Sequence, residues 1–84
     1  MYYVYILQSQ KDLNYYTGLA KDLERRLQEH NSGQTKATKS RRPFKIVYTE
    51  KFETLEQARE REKFFKTGSG REFRNEILKN NIPR

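Results

Sequence analysis

Arg26, His30 and Glu62 occupy positions that call for a chemical explanation. On a helix that starts near Leu23, at about 100° per residue, Leu27 falls at roughly 40°, His30 at roughly 340° and Arg26 at roughly 300°. These two polar groups lean toward the apolar side, whereas Arg25, at roughly 200°, faces water. On a later helix with Leu55 as origin, Ala58 lies at roughly 300°, Phe65 at roughly 280° and Glu62 at roughly 340°, inside the apolar stripe. Glu60 points away. A carboxylate so placed must be paired, protonated or bound to a cation, because an isolated buried charge is costly even after relaxation. The plainer reading pairs Glu62 with Arg59 or Lys66, within one turn, and lets Arg26 and His30 border the core with buried stems. Tyr5 and Tyr16 likewise read on their own as core aromatics with satisfied hydroxyls.

Local patterns supply the elements that must carry these groups. Tyr2 to Leu7 is aromatic and β-branched, hence a strand, and the polar stretch Gln8 to Asn14 contains the turn formers Ser9, Asp12 and Asn14. Tyr15 to Ala20 returns as a second strand, which makes an antiparallel hairpin; Gly18 marks a bulge or a close approach to the backbone. Asp22 caps a helix that runs to about Asn31, with Leu23 and Leu27 on its apolar side and Asn31-Ser32-Gly33 as the stop. Gln34 to Arg42 shows no hydrophobic periodicity and reads as an exposed basic loop ended by Pro43. Phe44, Ile46 and Tyr48 alternate with Lys45, Val47 and Thr49 in a third strand. Thr54-Leu55-Glu56-Gln57 is a capping box for a second helix, which continues to the flexible Gly68-Ser69-Gly70. From Arg71, the residues Phe73, Ile77 and Leu78 give a last amphipathic helix, and Pro83 closes a polar tail. The expected fold is α+β: a three-stranded, mainly antiparallel sheet flanked by three helices in the order β-β-α-β-α-α, with the first and most apolar strand in the centre.

With 84 residues, 33% of them hydrophobic, the chain has room for one small core, so residues 1–84 read as a single domain. The absence of cysteine rules out a disulfide framework and suits a reducing compartment. The first residues are too short and uncharged a stretch for a signal peptide, and no apolar run approaches a membrane span, so the expected location is cytoplasmic. A net charge of +7, from 18 basic and 11 acidic residues, attracts phosphate backbones and makes nucleic acid the favoured partner. Charge alone names no reaction.

Five segments taken in order are more specific: Tyr3-Val4-Tyr5, Tyr16-Thr17-Gly18, the run Asp22-Leu23-Glu24-Arg25-Arg26-Leu27-Gln28-Glu29-His30-Asn31, Arg41-Arg42-Pro43, and Arg59-Glu60-Arg61-Glu62-Lys63. In that order the chain resembles the GIY-YIG nuclease family, in particular its small stand-alone bacterial members, over almost its whole length. The resemblance implies a three-stranded antiparallel sheet with flanking helices and hydrolysis of DNA phosphodiesters. It makes Tyr5 and Tyr16 the family's tyrosines and Arg26 its catalytic arginine, with His30 assisting and Glu62 binding the metal. Tyr3 replaces a glycine of the first motif, Val4 and Thr17 replace isoleucines, and the spacing of Asn75 makes it a poor match for the late asparagine of many members.

One carboxylate, one histidine and no cysteine suit Mg²⁺ or Mn²⁺ rather than zinc, and no small-molecule cofactor is expected. Lys36, Lys39, Arg41, Arg42 and Lys45 of the basic loop are expected to clamp the DNA backbone together with Lys63, Lys66, Arg71 and Arg74. A monomer is the default. The alternative is a catalytically inactive nucleic-acid-binding module, which would keep the basic surface without needing Arg26 and Glu62 together.

Overall fold

A computed structural model describes residues 1–81; Pro83, expected to close a polar tail, lies outside the described residues. Strand β1 (Tyr2–Ser9) is followed by β2 (Tyr15–Ala20), helix α1 (Leu23–Asn31), a 3-10 turn (Lys39–Arg41), β3 (Phe44–Phe52), α2 (Leu55–Phe65) and α3 (Gly68–Asn81). The sheet order is β2-β1-β3 with both pairings antiparallel, so the most apolar strand is central as expected.

Alternation along β1 divides the interior in two. Val4 and Ile6 pack with Ala58 and Phe65 of α2 and Leu78 of α3, whereas Tyr5 and Leu7 face the other way, toward Leu23 and Leu27 of α1 and toward Phe44. Helix α1 therefore covers one face of the sheet, and α2 with α3 covers the opposite face.

β3 serves both faces, and here the expected alternation fails. Ile6 pairs with Tyr48 but Leu7 pairs with Ile46, which leaves Val47 as an extra residue in a bulge. Phe44 and Ile46 consequently join the α1 face, while Val47, Tyr48 and Phe52 join the α2 face. One inserted residue reverses the side-chain parity of everything beyond it.

Asp22 caps α1 by accepting from the Arg25 N–H at 3.1 Å, and Gly33, with φ of 85°, takes the left-handed conformation beyond the helix end. The Thr54–Gln57 capping box opens α2 as its sequence indicates. The start of α3 differs from the expectation at Arg71. Gly68-Ser69-Gly70 is the first turn of the helix rather than a flexible hinge: Thr67 Oγ1 accepts the Gly70 N–H at 3.0 Å and the Thr67 carbonyl accepts from Arg71 N. Gly70 is needed for close packing, since a Cβ there would lie 1.7 Å from the Phe64 carbonyl oxygen.

Arg61 ties α2 to β3. Its Nε and Nη2 donate to both oxygens of Glu50 at 2.7 and 3.0 Å, and its guanidinium lies about 5 Å over the rings of Phe64, Phe65 and Phe73. Tyr48 donates to Glu50 at 2.6 Å, and burial together with that carboxylate pushes its phenol up to about 12.

The 34–42 segment is less exposed than its polarity suggests. Thr38 is fully buried, and Arg41 pairs with Asp12 at 2.9 Å and lies over the Phe44 ring. Ser9 fastens this turn from below: its hydroxyl donates to the Arg41 carbonyl at 2.6 Å while accepting from the N–H groups of Lys11 and Asp12. A stretch without hydrophobic periodicity is held by hydrogen bonds that no periodicity reports. Among the described residues, no helix is long and apolar enough to cross a membrane.

Candidate active site

The site on the α1 face is built around Tyr5, which the central strand aims across Gly18 of β2. The two residues are direct cross-strand partners. A Cβ on Gly18 would lie 2.3 Å from the Tyr5 hydroxyl and 2.4 Å from Cζ, so the phenol takes the space that any other residue would fill. Of the two roles foreseen for Gly18, the close approach is the one realised; the bulge lies between β1 and β3.

Helix α1 brings two groups to the Tyr5 oxygen. His30 Nε2 lies 3.0 Å from it, and Arg26 Nε donates to it at 3.4 Å. Arg26 Nη1 also donates to Glu29 at 2.8 Å, and Arg25 pairs with the same carboxylate at 3.3 Å. Arg26 Nη2 has no hydrogen-bond partner among the described residues. Arg25 faces water, as its angle on the helix predicts.

The His30 ring has no exposed surface. It stands edge-on to Tyr16, 5.0 Å between centroids, with Phe44 at 6.1 Å, and its Nδ1 lies 2.7 Å from Thr38 Oγ1. The next residue, Asn31, exchanges two bonds with the Phe44 backbone at 2.7 and 3.0 Å, fixing the end of α1 to the start of β3.

Burial pushes the Tyr5 phenol up, and the Arg26 hydrogen bond and charge act against that rise. His30 is depressed by burial and then by the Arg26 charge, so the imidazole is held neutral. The contact with Glu29, followed by that with Tyr5, raises Arg26 further. At rest the proton stays on the phenol beside a neutral imidazole.

Tyr5, Tyr16, Arg26 and His30 are thus brought together. Glu62 comes from α2, on the opposite face, and makes no hydrogen bond or ion pair with those four among the described residues. It is half-buried and pairs with Lys66 at 3.2 Å, rather than with Arg59. Its charge still reaches Tyr5, as the smallest of the causes that move that phenol. No cluster of three or more His, Cys, Asp or Glu that could hold a metal occurs among the described residues. A hard cation that keeps most of its water needs one protein carboxylate, and Glu62 would be the residue to supply it.

Arg26 also lines an open cleft with Leu19, Ala20, Lys21, Asp22, Arg25 and Glu29. A second cleft lies between Lys11, Lys39 and Arg42, beside Asn31 and Pro43. Of the expected phosphate contacts, Lys36, Lys39, Lys45, Lys63 and Arg71 are exposed. Arg42 is exposed as well, although its Nε is bonded to the Lys39 carbonyl. Arg41 is engaged with Asp12, Lys66 with Glu62, and Arg74 lies over the Tyr15 ring and bonds Asn75. Lys11 and Lys21 line the clefts but are not among the phosphate contacts expected from sequence. Nothing in the sequence separates Thr38 from its neighbour Thr35.

A family model described as the GIY-YIG catalytic domain matches residues 1–75. A UPF0213 protein of Staphylococcus saprophyticus is 49% identical over 69 residues, covering 81% of this chain and 83% of its own length. A UPF0213 protein of Syntrophus aciditrophicus is 50% identical over 62 residues, covering 71% and 70%. The solution NMR structure of a UPF0213 protein from Bacillus halodurans superposes with a TM-score of 0.59 at 36% identity, covering 99% of this chain and 89% of that one.

Proposed function

The chain belongs to the GIY-YIG catalytic domain family, and from that premise we propose that it is a DNA endonuclease that hydrolyses phosphodiester bonds with the help of Mg²⁺ or Mn²⁺. The observation that carries this reading is the Tyr5 hydroxyl over Gly18, held between His30 and Arg26. An assembly that leaves a glycine bare, buries a histidine and aims an arginine at one phenol oxygen is more than core packing requires.

In this reading Tyr5 takes the proton of the attacking water, with His30 behind it, and Tyr16 walls the imidazole in. Arg26 stabilises the charge that grows on the phosphoryl oxygens; Nη2 is the nitrogen left for them. Glu62 is the residue to hold the divalent ion, which when bound supplies Lewis-acid stabilisation of the scissile phosphate. To do so Glu62 must exchange its exposed partner Lys66, a partly screened pair of small worth. The cleft lined by Lys11, Lys39 and Arg42 suits backbone phosphates, and so does the one lined by Lys21, Arg25 and Arg26 once a phosphate replaces Glu29 on the two arginines. Phosphate contacts position a duplex without reading its bases, so the favoured substrate is chosen by structure or only weakly by sequence.

Supercoiled plasmid incubated with pure protein should be nicked in Mg²⁺ or Mn²⁺ and left intact in EDTA. Arg26→Ala and Glu62→Ala should each lower the rate by about 100-fold or more, the size seen when one charge-stabilising group is removed. Wild-type nicking by Glu62→Ala would remove the metal role. The pairing of Glu62 with Lys66, and among the described residues with none of the other four, favours one rival, a nucleic-acid-binding module without catalysis. That rival predicts a gel shift in EDTA and no nicks under any metal.

A further inference from the structure

Donor and acceptor counting around His30 reaches further than distance alone. Arg26 can only donate, so its Nε–H occupies an acceptor position on the Tyr5 oxygen. The phenol's own hydrogen needs an acceptor, and His30 Nε2 at 3.0 Å is the one within reach among the described residues. Nε2 must then be bare. A neutral imidazole carries one proton, so that proton sits on Nδ1, 2.7 Å from Thr38 Oγ1. The Thr38 hydroxyl in turn has the Thr35 carbonyl as its acceptor, at 3.4 Å. Each donor in the series Tyr5, His30, Thr38 thereby meets an acceptor. Run in reverse, the series would place two donors on the phenol oxygen and leave its hydrogen unmatched in a buried site.

We propose that Thr38 is a positioning residue that holds His30 as the Nδ1–H tautomer, leaving Nε2 free to take the Tyr5 proton during hydrolysis. This rests on the nuclease reading above. As water attacks, its proton passes to the Tyr5 oxygen and the Tyr5 proton passes to His30 Nε2. The water oxygen bonds to phosphorus, and the bond from phosphorus to the leaving oxygen breaks with its electron pair. The leaving oxygen takes a proton from solvent, and the imidazolium returns one to solvent by way of the Tyr5 hydroxyl, which restores the neutral ring. One water is added across one P–O bond, and no oxidant or reductant is needed.

Thr38 touches no substrate in this scheme; it acts through the ring. Its depth inside a polar, basic segment has this use, since the hydroxyl is fully buried and bonded to the histidine.

His30 is the only histidine, so long-range ¹H–¹⁵N spectra of the ring nitrogens report its tautomer without assignment ambiguity. The wild-type chain at neutral pH should show Nδ1 protonated and Nε2 bare. Thr38→Val, which keeps the shape and removes the hydroxyl, should leave the Nδ1 hydrogen without an acceptor, so that the Nε2–H form gains population against the pull of Tyr5, and lower kcat for plasmid nicking by about 10- to 100-fold, with KM little changed. Thr38→Ser should keep both the wild-type tautomer and the wild-type rate. Protonated Nε2 in the wild type overturns the proposal outright, whatever the activity, as does Thr38→Val with wild-type tautomer and kcat. Should Thr38→Val fail to fold, the wild-type tautomer and the Thr38→Ser rate decide. If the wild-type chain nicks nothing, the nuclease reading falls and takes the proton transfer with it, while the spectra still decide whether Thr38 sets the tautomer.

Discussion

Replacing Gly18 with alanine tests how tightly the site is constructed. The added Cβ would stand 2.3 Å from the Tyr5 oxygen, and ordinary contact begins at 3.4 Å, so the ring must retreat by about 1 Å. That retreat draws the hydroxyl away from His30, now at 3.0 Å, and from Arg26, whose bond at 3.4 Å has no slack. Overpacking of this kind costs about 1–3 kcal/mol, and a buried hydrogen bond left unmade adds about 1–3 kcal/mol. Removing a glycine from a strand returns roughly 0.5–1 kcal/mol. The net expectation is a loss of about 1–5 kcal/mol, a large part of the roughly 4–12 kcal/mol that stabilises a domain of this size. Urea unfolding should show a clear fall in midpoint at unchanged slope. Nicking per folded molecule should drop about 100-fold, since displacements near 1 Å have that effect on positioned groups. The control is the same change in a Tyr5→Leu background, where the clashing phenol is gone and Gly18→Ala should cost less than about 0.5 kcal/mol. Equal costs in the two backgrounds, or full activity in Gly18→Ala, would refute the argument that the glycine exists to admit the phenol.

Three other expectations can be checked on the same protein. His30 is depressed in the fold by burial and Arg26, against the milder opposite pull of Glu29, so the unfolded chain binds its proton first. Melting temperature should therefore hold above pH 6.5 or so and decline from there toward pH 5, and His30→Asn should flatten that decline; an equal slope in the variant would show that other groups are responsible. Charge reversal at Lys39 and Arg42 should weaken DNA binding and reduce the salt slope by about 2, whereas an unchanged slope would remove this cleft from the interface. Arg61→Ala should destabilise the fold by about 2 kcal/mol by urea titration, through loss of the fork on Glu50 and of three ring contacts, without changing nicking per folded molecule.

Features recorded by periodicity or capping were legible in the sequence. The hairpin, the central place of β1, both capped helices and the inward lean of Arg26 and His30 all follow from spacing. Features that depend on one backbone meeting another were not. No pattern in Phe44 to Phe52 announces the extra residue at Val47, because all its candidates are apolar or branched. Gly68 and Gly70 argue against a helix by propensity, yet the Phe64 carbonyl leaves room for nothing larger at Gly70. Thr38 and Arg41 sit in a segment whose polarity implied exposure, and their partners His30 and Asp12 are set by tertiary contact. Helical angle set Glu62 on the side of Ala58 and Phe65, where it is half-buried and paired with Lys66, but an angle does not say which side of the sheet its helix will cover.

Because β1 is threaded through the middle, Val4 to Leu7 is common ground for two neighbours with different occupations. Alternate residues answer to the scaffold under α2 and α3 or to the chemistry under α1. Helices that touch one side of the sheet can drift in sequence without disturbing the other. Along those four positions no such independence exists: a slip of the strand by a single residue would exchange the two crews at once, and fold and reactivity would be lost in the same step.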